Sequence, residues 1–114
     1  MKKQQKRLSG LEWEVIEGVW RCNGEASPYG VTVREVHSHL YPNREKAYTT
    51  VQTVMNILFE KGFLTRKKIG LVNFYTPTVS QGEMAQQETL SLVSRAFGGS
   101  FVALANYLVD SGSL

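Results

Sequence analysis

Thr49, Gln52, Thr53 and Asn56 recur at i, i+3, i+4 and i+7 in AYTTVQTVMNILFEKGFLTRKK, residues 47–68. In a helix that spacing projects all four from one side. The opposite face is aliphatic: Val51, Val54, Met55, Leu58 and Phe59. Surface helices ordinarily expose Glu and Lys, which are better helix formers and pair along the face. Gln and Thr offer different chemistry. Gln donates and accepts together, matching adenine N6 and N7, while Thr serves either partner and can set its methyl against that of thymine. These four residues are candidates for base readout in a DNA major groove. Tyr48 and Thr50 in the same helix, and Arg66, Lys67 and Lys68 beyond it, are candidate phosphate contacts. Taken alone, the helix reads more readily as plain Thr-rich surface.

The surrounding elements weigh against that plain reading. Ser9-x-x-Glu12 and Thr32-x-x-Glu35 are capping boxes that open two earlier helices. Leu11, Val15, Ile16, Val19 and Trp20 recur at helical spacing, and Asn23-Gly24 tolerates the left-handed turn that stops a helix. Val33, Val36 and Leu40 form the second buried stripe, which Pro42 ends. Val31 is placed for one short strand. The third helix is predicted over about 46–61, with Gly62 at its C-terminal cap. The period then changes: residues 63–69 read as a strand, Gly70 as a turn and residues 71–76 as a returning strand. Three helices followed directly by a hairpin predict a winged helix-turn-helix, mainly α with a small antiparallel β wing.

A second region begins at Ser80-x-x-Glu83. It predicts a helix over about 81–97 with Leu90, Val93 and Phe97 on one line, broken by Gly98-Gly99. Phe101, Leu104 and Leu108 belong to a further helix that is apolar on most sides, which must be buried. A second chain is the natural cover, so these six residues are the candidate dimerisation contacts. The expected organisation is a winged-helix DNA-binding domain over 1–78 and a helical dimerisation region over 79–114.

Charge follows the same division. Residues 1–78 hold 12 Lys/Arg against 7 Asp/Glu, whereas residues 79–114 hold one base and three acids. A basic front is the footprint of a polyanion-binding module. The single cysteine, Cys22, excludes a disulfide framework and a Cys-cluster metal site. No apolar run approaches a membrane span, and the basic start lacks the apolar core of a signal peptide. A cytoplasmic protein with no membrane partner is expected. No Ser/His/Asp, Cys/His, paired-carboxylate or phosphate-loop arrangement stands at useful spacing, so no enzyme, cofactor or metal is expected. His37 and His39, two apart, point different ways on a helix and cannot share a metal. Trp13 and Trp20 at i and i+7 read as core, and Cys22 as a buried thiol.

LSGLEWEVIEGVW, TVREV, AYTTVQTVMNILFEKGFLTRKK, FYTP and FGGSFVALANYLVD together resemble the penicillinase-repressor family of BlaI/MecI-type regulators, related to the copper-responsive CopY type. The resemblance spans almost the whole chain. It implies a homodimeric repressor of antibiotic-resistance or related operons, bound to dyad operators on double-stranded DNA. It also implies relief by a regulatory protease cutting in the dimerisation region, with Asn106-Tyr107 as the matching bond. The chain has no cysteine past Cys22, which disfavours direct copper sensing. It departs from the family pattern at Ile57 and Leu71, where arginine or a basic residue is usual, and it stops at Leu114 before the usual last helix. Those two departures support a reading of another class: a winged-helix protein-interaction module that has lost strong DNA binding.

Overall fold

A computed structural model describes residues 7–25 and 27–113. The basic start at 1–6 and the end at Leu114 lie outside the described residues. The elements run α1 (Gly10–Cys22), α2 (Val33–Leu40), α3 (Tyr48–Glu60), β1 (Leu64–Ile69), β2 (Val72–Pro77), α4 (Gln81–Ala96) and α5 (Phe101–Asp110). They form two compact units, one ending at Ser80 and one beginning at Gln81.

The first unit is a winged helix. Both capping boxes form: Ser9 Oγ accepts from the Glu12 N–H at 3.2 Å, and Thr32 Oγ1 from the Glu35 N–H at 3.1 Å. Each glutamate returns a bond to the N–H of its capping residue. Asn23 is extended rather than left-handed, so Gly24 alone, at φ 84°, makes the stop after α1. The helix α3 ends in a Schellman turn, with Phe63 N–H donating to Leu58 O and Gly62 N–H to Phe59 O. That turn feeds β1 back along α3. The hairpin is antiparallel, in register from Leu64↔Pro77 to Ile69↔Val72, and Val31 adds a one-residue bridge to Tyr75. The core is Val15, Ile16, Val19, Val36, Val51, Met55, Leu58, Phe63, Leu64 and Tyr75, all nearly or wholly buried. Trp13 and Trp20 are half-buried rather than core; they meet edge to face at 6.3 Å, and Trp20 Nε1 donates to Val79 O at 3.0 Å.

One ion pair ties the first helix to the end of the third. Lys61 Nζ lies 2.7 Å from Glu12 Oε1, with the two side chains only 22% and 11% exposed. Burial pushes the Glu12 carboxyl up, but bonds from Lys61 and the Ser9 N–H outweigh that and hold it below its ordinary value. A depressed carboxyl binds its proton less readily folded than unfolded. Its contribution is therefore full above about pH 4.5 and is lost as pH falls through the lower folded value. Lys61→Met strands the carboxylate and is expected to destabilise the unit by about 1–3 kcal/mol at neutral pH. Urea unfolding should show the difference between parent and variant shrinking as pH falls below the carboxylate range. A difference independent of pH would refute the assignment.

The second unit consists of α4 and α5, whose axes bend by 87°. Gly98 and Gly99 turn the chain between them, and Ser100 caps α5 through a bond from the Ala103 N–H. Among the described residues no single helix is long and apolar enough to cross a membrane.

Candidate nucleic-acid interface

The turn between α2 and α3 is fixed by its own polar groups. Tyr41 accepts from the Arg44 N–H at 2.9 Å, with Arg44 left-handed at φ 60°. His37 Nε2 donates to Lys46 O at 2.7 Å, and its ring meets Tyr48 edge to face at 6.0 Å. Tyr41 hydroxyl donates to Glu14 at 2.6 Å; burial and that carboxylate push the phenol well above its usual range. The start of α3 is thus held from both α1 and α2.

From there α3 exposes Thr49, Gln52 and Thr53 together on one face, with Tyr48 exposed and Thr50 half-buried at its first turn. Asn56 does not join them as a free reader. Its Oδ1 accepts from Tyr75 hydroxyl at 2.7 Å and from Arg66 Nη1 at 3.1 Å, and its side chain is half-buried. The Arg66 guanidinium lies over the Phe59 ring, 4.2 Å from its centroid. Asn56 and Arg66 therefore lock the wing to α3, and Asn56 has spent the acceptor that base readout would use. Tyr75, buried, has its phenol pushed up by that burial and keeps its proton for the bond.

The three wing cations do not act from one side. Strand alternation puts Arg66 and Lys68 on the face toward α3 and Lys67 on the other. There Lys67 Nζ stands 5.9 Å from the Tyr29 ring, which in turn meets Phe74. The aliphatic residues at the two departures from the family pattern are solvent-facing: Ile57 is partly exposed and Leu71 is 94% exposed. Sequence reasoning missed a further group. Arg34, Arg44 and Lys46 line a cleft with His37 and Tyr48 at the helix-turn-helix turn, and Arg34 also lines a groove with Gln52 and the wing. Their signal was three cations within the helix-turn-helix segment itself, masked by the more concentrated run in the wing.

In the second unit, Val93 is 2% exposed and so unavailable to a partner chain, contrary to its place among the dimerisation candidates. Leu90 and Phe101 are exposed, and Phe97, Leu104 and Leu108 are half-buried. Asn106 and Tyr107 are both exposed within α5, the Tyr107 ring 5.7 Å from that of Phe97. Cys22 is buried, and burial followed by the charges of Glu25 and Glu35 pushes its thiol up, the opposite of a reactive thiolate.

Three helices, a hairpin tied to the third, and an open polar face on that third helix define a winged helix-turn-helix protein. Residues 8–114 match the model of the penicillinase repressor family. The chain belongs to that family, whose members are transcriptional repressors and not enzymes. It is similar to the penicillinase repressor of Bacillus licheniformis, with 23% identity over 98% of this chain and 83% of the relative. It is also 31% identical to a 16.5 kDa uncharacterised protein of Latilactobacillus sakei, over 86% of this chain but 63% of that protein's length. Two solved structures share the fold, each 27% identical and covering 72% of this chain and 93% of the other. One is the DNA-binding domain of the repressor BlaI, at TM-score 0.56. The other is monomeric Bacillus licheniformis BlaI in complex with the blaP half-operator, at TM-score 0.52.

Proposed function

We propose that this chain is a sequence-specific DNA-binding repressor that acts in the cytoplasm as a homodimer on dyad operators of antibiotic-resistance or related stress genes. Its first unit holds the DNA and its second the partner copy. The observation that carries the reading is the exposed trio Thr49, Gln52 and Thr53 on a helix anchored by the Asn56–Tyr75–Arg66 link. The similar BlaI domain in complex with a half-operator supports it. Tyr48, Thr50, Lys68, Arg34, Arg44 and Lys46 supply phosphate contacts around that helix. Leu90, Phe97, Phe101, Leu104 and Leu108 face the second copy, setting two recognition helices about 34–36 Å apart or a multiple of it. A regulatory protease cutting at Asn106-Tyr107 would relieve repression by dividing α5.

Gln52→Ala is expected to weaken operator binding by about 1–3 kcal/mol and to relax preference at one base pair. Lys68→Ala should instead weaken binding to every duplex alike and flatten the salt dependence by about one unit per half-site. Fluorescence anisotropy on operator and random duplexes over a salt series separates the two effects. If both variants bind like the parent, α3 does not read DNA, and the interaction-module reading, which exposed Ile57 and Leu71 favour, takes its place.

A further inference from the structure

The wing tip is built unlike the stem that carries it. Leu71 is 94% exposed, with Ile69 and Val72 exposed beside it. The hairpin below holds Arg66, Lys67 and Lys68 and no Asp or Glu. An apolar tip on a cationic stem complements a surface with an anionic rim and a less polar floor. The DNA minor groove has that composition: phosphates border it, and apolar side chains enter between or against its base edges. The placement of the tip fits this partner. Leu71 lines one groove with Gln52 and Tyr48 of α3 and Arg34 of α2. A sugar-phosphate strand seated in that groove would have α3 in the major groove on one side and Leu71 at the minor groove on the other.

We propose that Leu71 is a specificity-determining residue that reads the minor groove flanking each half-site and prefers A·T to G·C pairs there. This rests on the DNA-binding reading above and deepens it. The minor-groove floor of a G·C pair adds the guanine N2 amino donor, which an A·T pair lacks. A leucine pressed on that floor fills the space the amino group occupies, excludes its water and offers it no acceptor. An arginine or lysine at this position would instead bind phosphate and be indifferent to the pair beneath.

The test begins with a random-sequence duplex pool enriched on the full chain. The selected duplex is remade with flanking pairs as A·T, G·C or inosine·cytosine. Inosine lacks the 2-amino group, so I·C presents the minor groove of A·T and the major groove of G·C. The expected result is that the I·C flank binds like A·T and the G·C flank about 10-fold more weakly, the scale of one mismatched pair. Leu71→Ser, at a site this exposed, should keep the fold and lose the discrimination. Leu71→Lys should bind all three flanks more tightly with a steeper salt slope. Equal binding of the three flanks by the parent, or discrimination that survives in Leu71→Ser, would overturn the assignment while leaving the repressor reading intact. Failure to enrich any duplex would overturn both. Equal flanks together with Leu71-dependent pelleting on phosphatidylglycerol vesicles would show the tip to be a lipid contact and overturn it likewise.

Discussion

A chain ending at Ser80 is expected to bind a dyad operator about 10²–10⁴-fold more weakly than the full chain while remaining a folded winged helix. The core lies within the first unit, and the cut after Ser80 keeps the bond from Trp20 to Val79 O. What is removed is a pair of helices with little cover. Among its described residues α5 buries none, and Val102 and Val109 are 69% and 61% exposed. Exposed apolar surface of that kind fits the proposed interface with a second copy. Joining two half-site readers makes the second binding event intramolecular, which raises overall affinity without any new contact to DNA. A chain ending at Asn106 should fall between the two, since it loses the second half of α5 but keeps Phe101 and Leu104. Sedimentation velocity and operator titration on the three lengths provide the measurement. Equal binding by the 1–106 and full chains would mean that a cut at Asn106-Tyr107 cannot induce. A monomeric full chain at micromolar concentration would remove the dimer altogether.

Such a cut must also be reachable. Asn106 and Tyr107 are exposed, yet their peptide bond sits in the second half of an α-helix. A protease takes extended chain, so α5 has to open locally first. No side chain of α5 is buried within the single chain, so the cover that opening must undo is what a second copy supplies.

How far these properties could be read in advance depended on the reach of the forces involved. Helix starts were legible because their bonds close within three residues, as at Ser9/Glu12 and Thr32/Glu35. The winged helix followed from period, Gly62 and Gly70, and Val31 was rightly placed as one strand residue. The burial of Asn56 was not legible, because the group that claims its oxygen, Tyr75, lies nineteen residues on and arrives only when the hairpin folds back. The Glu12–Lys61 pair, 49 residues apart, was hidden for the same reason. Val93 looked like its neighbours Leu90 and Phe97 because spacing reports a shared face and not what covers it. The division of Lys67 from Arg66 and Lys68 is a different lesson. Strand alternation contains it, but grouping the cations as one basic run passed over it.

Gly30→Ala is expected to remove a large share of the stability of the first unit. Gly30 sits at φ 121°, a backbone region that residues with a side chain rarely adopt. An added Cβ would lie 2.6 Å from Tyr75 O and 2.8 Å from Thr76 Oγ1. Relief cannot come from a side chain swinging away, because the first obstacle is backbone. The chain on either side must separate, and Val31 and Tyr75 are there joined by two bonds of 2.8 Å in a place where both are about 1% exposed. Backbone strain of about 1–3 kcal/mol and the weakening of a buried bonded pair at about 1–3 kcal/mol per group point to a loss on the order of 3–5 kcal/mol. A small domain has roughly 5–15 kcal/mol in all, and at this size each kcal/mol moves the melting temperature by about 4–8 °C. The damage would spread toward the proposed interface, since displacing Tyr75 frees Asn56 and with it the hold of the wing on α3. Asn56→Ala is the matched control: it releases the wing without straining the backbone, so it should lose operator affinity with a far smaller drop in melting temperature. Calorimetry of both variants decides the matter. A Gly30→Ala protein melting within a few degrees of the parent would show that the loop before α2 yields freely and does not fix the wing.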